Sequence, residues 1–141
     1  MKVITGVFFQ DVKNLRVGHD EKIEARVMLQ DVELQALFIG VIGSVRDTGE
    51  LRVNIDGVMN DHYGSSTIHN FVLTKNKLTF LKIYDRTGTP VKYSFKKGND
   101  KFWAGTWKNP QMEGITRCAI SDVGENWELF DRGSLILSLK K

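Results

Sequence analysis

In "KLTFLKIYD", residues 77 to 85, a lysine stands in line with apolar residues: Leu78, Phe80, Lys82 and Tyr84 alternate with Thr79, Leu81 and Ile83. If the first set faces an interior, the Lys82 ammonium must be paired, hydrated or shifted in pKa, because an unpaired buried charge is costly. A ligand carboxylate would satisfy it. If the strand shows its second set inward, Lys82 lies in water and its stem covers the rings. Arg117, in "GITRCAI", raises the same question.

Aromatic surface concentrates nearby. In "KFWAGTW" a period of two puts Trp103, Gly105 and Trp107 on one face, with Phe102, Ala104 and Thr106 opposite. Gly105 leaves a notch between two indoles, which either a neighbouring strand or a planar guest can fill. On the second reading Trp103, Trp107, Tyr93, Phe95, Phe80 and Tyr84 form a cavity wall with Lys82 as its placed polar group, the composition expected of a small-molecule site.

Other chemistry-bearing residues point less far. Asp47, Thr48 and Gly49 spell the triplet of aspartic proteases, but Arg46 and Glu50 flank it and its spacing is that of a hairpin turn. His19, His62 and His69 are scattered with no second ligand at metal spacing, so no metal site is expected. No G-x-S-x-G elbow accompanies the serines, and no Gly-rich loop opens a helix to cradle phosphate. No catalytic residue and no cofactor are assigned. Cys118 sits among strand residues as a small hydrophobe.

The elements that must position these groups are strands. Ile23, Ala25, Val27 and Leu29 alternate with charged and polar residues in "KIEARVMLQ". Leu51, Val53 and Ile55 do so in "LRVNIDG", and Val91, Tyr93 and Phe95 in "VKYSFKK". This is the rhythm of half-buried antiparallel sheet. Further strands are expected at about 2–10, 33–45, 66–74, 77–84, 101–108, 114–121, 126–131 and 134–140. Turn sequences such as "LTKNKL", "YDRTGTP" and "FDRGSL" join them as hairpins. The segment "ELQALFIGVIGSV" is apolar on both faces, and Gly40 and Gly43 are its expected bend or bulge. "DVKNLRVGHD" at 11–20 and "NDHYGSST" at 60–67 are the longest connections, candidate lids over a barrel mouth.

The chain has 141 residues without a linker or low-complexity run, so residues 1–141 are expected to form one β-barrel domain. A meander this long leaves two open edges unless it closes. The expected fold is therefore all-β, a closed antiparallel up-and-down barrel of about 8–10 strands, with a β-sandwich as the alternative. A single cysteine, and a start "MKVITGVFFQ" without the apolar run of a signal peptide, point to the cytoplasm. The net charge of +3 arises from 20 basic and 17 acidic residues that are interspersed, which argues against a nucleic-acid or membrane partner.

The stretch from 66 to 121 also carries a family pattern. Phe80, Lys82 and Tyr84, then Tyr93 and Phe95, then Gly105 and Trp107, then Gly114 resemble the second half of small lipocalin-like barrels of the calycin and avidin-like kind, found in many uncharacterised bacterial proteins. The resemblance implies an up-and-down barrel whose interior takes a small apolar ligand. It departs from true lipocalins in the first strand, where Gly6, Val7 and Phe8 stand in place of G-x-W. Fatty-acid-binding barrels need two helices between their first strands, for which residues 11–20 are too few. Three functions follow: a carrier or sensor for a small apolar or anionic ligand; a protein-interaction module with a solid core, a homodimer included; and a lipocalin-like isomerase or cyclase using Lys82, Tyr84 or His69.

Overall fold

A computed structural model describes residues 1–9, 35–43, 55–98, 100–131 and 133–140. Among the described residues ten strands follow one another: β1 (Lys2–Phe9), β2 (Gln35–Ile42), β3 (Gly57–Asp61), β4 (Gly64–Leu73), β5 (Lys77–Tyr84), β6 (Pro90–Lys97), β7 (Trp103–Lys108), β8 (Glu113–Asp122), β9 (Trp127–Asp131) and β10 (Ile136–Leu139). β1 to β8 pair antiparallel in chain order, and β8 returns to β1 with Lys2 opposite Asp122 and Phe8 opposite Thr116. Both sides of β1 are thus paired, the barrel is closed, and the β-sandwich alternative falls. β9 and β10 form a separate two-stranded sheet.

That hairpin explains why β2 is apolar on both faces. Phe38 and Ile42 point into the barrel, while Val41 and Val58 on the outside are covered by Trp127, Leu129, Leu135 and Leu137 together with Met1. Outward Leu37 and Ile39 remain 73% and 44% exposed. Gly40 makes no bulge, because β2 keeps unbroken register with both β1 and β3. The irregularity lies on β4, where Asn70 adopts φ 52° and the pairing with β5 shifts between His69 and Val72.

The segment 60–67 is not a lid. Asn60 and Asp61 end β3, Gly64 opens β4, and only His62 and Tyr63 turn between them. Its polar composition reads as a loop, yet Asp61 and Ser66 are strand residues that face inward with hydrogen bonds in place. The candidate lid at 11–20, the strand around 22–30, the Asp47–Gly49 triplet, His19 and most of the strand at 51–57 lie outside the described residues. The partner of β1 on this side is β2, which begins at Gln35. The connection length that set fatty-acid-binding barrels aside therefore rests on residues outside the description.

Among the described residues, side chains pack one half of the barrel tightly. Phe71, Phe80, Tyr93 and Phe95 stack in a column with ring centroids 4.8 to 6.2 Å apart, packed round with Leu78, Ile68 and Trp103. Burying aromatic side chains of this size supplies much of a small domain's hydrophobic stabilisation. Gly105 is the notch between the indoles, and β6 fills it: a Cβ there would collide with the backbone of Ser94 and Phe95. That backbone leaves no room for a planar guest between Trp103 and Trp107.

Candidate ligand pocket at the open end of the barrel

The other half opens into a pocket of about 600 Å³. Period two carries Phe8, Lys82, Tyr84, Tyr93 and Trp107 into its wall, and three hairpin turns supply its rim: Tyr63 and Ser65, then Arg86, Thr87 and Thr89, then Asn109 and Met112. Side chains that bond their own backbone hold two of these turns. Asp61 accepts from the Tyr63 N–H at 2.8 Å, and Asn109 accepts from the N–H groups of Gln111 and Met112, each at 2.8 Å.

Trp107 is fixed rather than mobile. Its indole Nε1 donates to the Phe9 carbonyl at 2.9 Å, tying β7 across to the end of β1. Gly114 lies opposite Trp107 on β8, and a Cβ there would press into both the indole and that carbonyl. The indole's face is thereby set against Phe8, edge to face at 5.8 Å.

A charged cluster forms the pocket floor. Lys82 Nζ donates to Asp61 Oδ2 at 2.8 Å and to the Tyr84 hydroxyl at 2.8 Å, and that hydroxyl donates to the same Asp61 oxygen at 2.7 Å. The lysine and aspartate side chains are 1% and 0% exposed. Lys82 Nζ also lies 5.1, 4.4 and 5.2 Å from the ring centroids of Phe8, Tyr84 and Tyr93, within cation–π range. Burial pushes the Lys82 ammonium below the ordinary lysine value, while the Asp61 carboxylate pulls the other way. Burial pushes the Tyr84 and Tyr93 phenols up, and the nearby Asp61 charge adds to both shifts. The floor as a whole is neutral, one ammonium against one carboxylate. At the rim, Arg86 makes no ion pair or hydrogen bond among the described residues.

Of the seven residues singled out in the sequence, Lys82, Tyr84, Tyr93 and Trp107 line the pocket. Trp103, Phe95 and Phe80 lie in the solid half. Lys82 faces inward as the first alternation reads, but Asp61 already satisfies the charge for which a ligand carboxylate was a candidate. Asp61 is the residue that sequence reasoning missed, hidden in "NDHYG" among residues of turn character. Phe8 was within reach of the alternation Ile4, Gly6, Phe8, all of one face. His69 bonds Thr67 on the outer face, 2.7 Å away, and does not reach the pocket. Arg117 also faces outward, paired with Asp100 at 2.9 Å over the Phe102 ring. Among the described residues no cluster of His, Cys, Asp and Glu could hold a metal ion, and no helix is long and apolar enough to cross a membrane. Comparison with known protein families, curated proteins and solved structures finds none that matches this chain.

Proposed function

We propose that this barrel binds a small, partly apolar molecule in its open end, as a carrier or sensor of the lipocalin-like kind. The observation that carries the reading is a pocket of about 600 Å³ at one end of the barrel, rimmed by the hairpin turns and reaching at its base the nearly buried Phe8, Tyr93, Trp107 and Lys82. Ligand sites are pockets of roughly 300–1,000 Å³, mostly apolar, with a few fixed polar groups. A filled core, the premise of a pure interaction module, fits this interior less well. Lys82 and Tyr84 are bonded to each other and to Asp61, which suits a fixed floor better than the proton-shuttling pair of an isomerase or cyclase. A cytoplasmic setting accords with the single buried cysteine.

Tryptophan fluorescence tests the proposal, because Trp107 lines the pocket while Trp103 and Trp127 lie elsewhere. Titration with fatty acids, bilins and aromatic dyes is expected to give a saturable one-to-one quench with at least one probe, lost in Trp107→Phe with the fold retained. Silence across all three classes, with native mass spectrometry finding no bound molecule in fresh preparations, would refute it.

A further inference from the structure

Two hydrogen-bond donors at the pocket base have a free N–H or O–H among the described residues. Tyr93 is 1% exposed and lines the pocket, and its hydroxyl makes no hydrogen bond among the described residues. Lys82 spends two of its three N–H groups on Asp61 and Tyr84, and its third meets no acceptor among them. Lys82 Nζ stands 5.2 Å from the Tyr93 ring centroid, so both donors belong to one inner region. An acceptor brought to this depth by a ligand would be hydrogen-bonded there and not left unpaired.

We infer that the pocket takes a neutral, carbonyl-bearing apolar molecule, held with its carbonyl oxygen inward as acceptor for Tyr93 and Lys82. This rests on the pocket being a binding site, and it names the chemical class. An oxygen that only accepts can take both the Lys82 N–H and the Tyr93 O–H, leaving no ligand donor in need of a partner beside the ammonium. Charge decides between a carbonyl and a carboxylate. Asp61 already neutralises Lys82, so a ligand anion at this depth would be the uncompensated charge of the cluster. Among the described residues that line the pocket the unpaired cation is Arg86, at the rim, so any acidic group on the ligand belongs at the outer end.

Three naphthalene probes test this. They are 6-propionyl-2-(dimethylamino)naphthalene, its propyl analogue lacking the carbonyl, and 6-(dimethylamino)-2-naphthoate. The ketone is expected to bind wild-type protein roughly tenfold or more tighter than the propyl compound, and that preference should fall to about threefold or less in Tyr93→Phe. Tyr93→Phe removes a hydroxyl for which no hydrogen bond is seen among the described residues, so the fold survives the change; Tyr93→Leu, which removes the ring as well and whose fold is checked by circular dichroism, is the second variant. In an Arg86→Gln host, where the rim cation cannot hold the acid, the ketone should also outbind the naphthoate. Equal binding of ketone and propyl compound, a preference unchanged in both Tyr93 variants, or tighter binding of the naphthoate in that host overturns the inference while leaving the pocket a binding site. No binding by any of the three overturns it together with the proposed function.

Discussion

Removing Asp61 is the sharpest test of the cluster. Its carboxylate is fully buried and accepts from the Tyr63 N–H, Lys82 Nζ and the Tyr84 hydroxyl, at 2.8, 2.8 and 2.7 Å. The Tyr63 amide belongs to an exposed turn and water can replace its partner, so the loss concentrates on Lys82. Asp61→Ala leaves that ammonium enclosed by Phe8, Tyr84 and Tyr93 with one hydroxyl to bond. Breaking a buried pair from one side costs about 3–5 kcal/mol, a large share of the roughly 5–15 kcal/mol that holds a domain. Urea unfolding followed by circular dichroism at pH 7 reads it directly. The variant can relieve the strain by releasing the Lys82 proton, and burial already pushes that pKa down. Its unfolded state keeps the ordinary value of about 10.4 and binds more protons in between, so stability must rise with pH, by at most about 1.4 kcal/mol per unit. The deficit is therefore expected to shrink between pH 7 and 9.5. Asp61→Leu combined with Lys82→Met removes both charges and is expected to return to within about 2 kcal/mol of the native protein. A single variant within about 1 kcal/mol of native, or a double variant no better than the single, would refute the cluster's role.

Two tyrosines in one pocket should behave oppositely. Tyr84→Phe takes a hydrogen bond from both Asp61 and Lys82 and is expected to cost about 1–3 kcal/mol, whereas Tyr93→Phe should change stability by less than about 0.5 kcal/mol in urea titrations. Both phenols are raised by burial, so the unfolded chain ionises first. The stability they contribute is complete below pH 10 and declines above it, with Tyr93 alone giving a slope of roughly 1.4 kcal/mol per unit and Tyr84 adding in the same direction. Unfolding midpoints between pH 9 and 11 check the break. Burial pushes the Cys118 thiol up to about 12, so it should resist a disulfide reagent at pH 8 until urea unfolds the barrel.

The division between what was legible and what was not follows from where the information is stored. Strand rhythm is local, and Leu78, Phe80, Lys82 and Tyr84 announce their common face within eight residues, as Val91, Tyr93 and Phe95 do in theirs. Closure follows from the same rhythm, since a long meander keeps two open edges unless its last strand pairs with its first. What escaped depends on depth along the barrel axis, which period two does not encode. Trp103 and Trp107 share a face, but five residues of strand place one in the solid half and the other at the pocket. Asp61 escaped for a related reason. A carboxylate beside a tight turn reads as solvated, and only the β4–β5 pairing, which sets Ile68 opposite Lys82, with the β3–β4 hairpin brings it to the ammonium 21 residues away.

The pair also bears on why the pocket exists at all. An apolar residue at position 82 would let the aromatic column continue through Tyr93 toward Phe8, and the barrel would fill. A charged pair instead fixes the floor at one height: Asp61 is anchored by its own turn, Lys82 by Asp61 and Tyr84, and three rings pack around the ammonium. Buried ion pairs are weak stabilisers compared with hydrophobic replacements, so a pair at this depth is better accounted for by the geometry it imposes. On that account Lys82→Met with Asp61→Leu should fold well and yet bind the naphthyl ketone poorly, because the floor has lost one donor and gained apolar bulk. A double variant that binds the ketone as tightly as the native protein would show that the floor is set by something other than this pair.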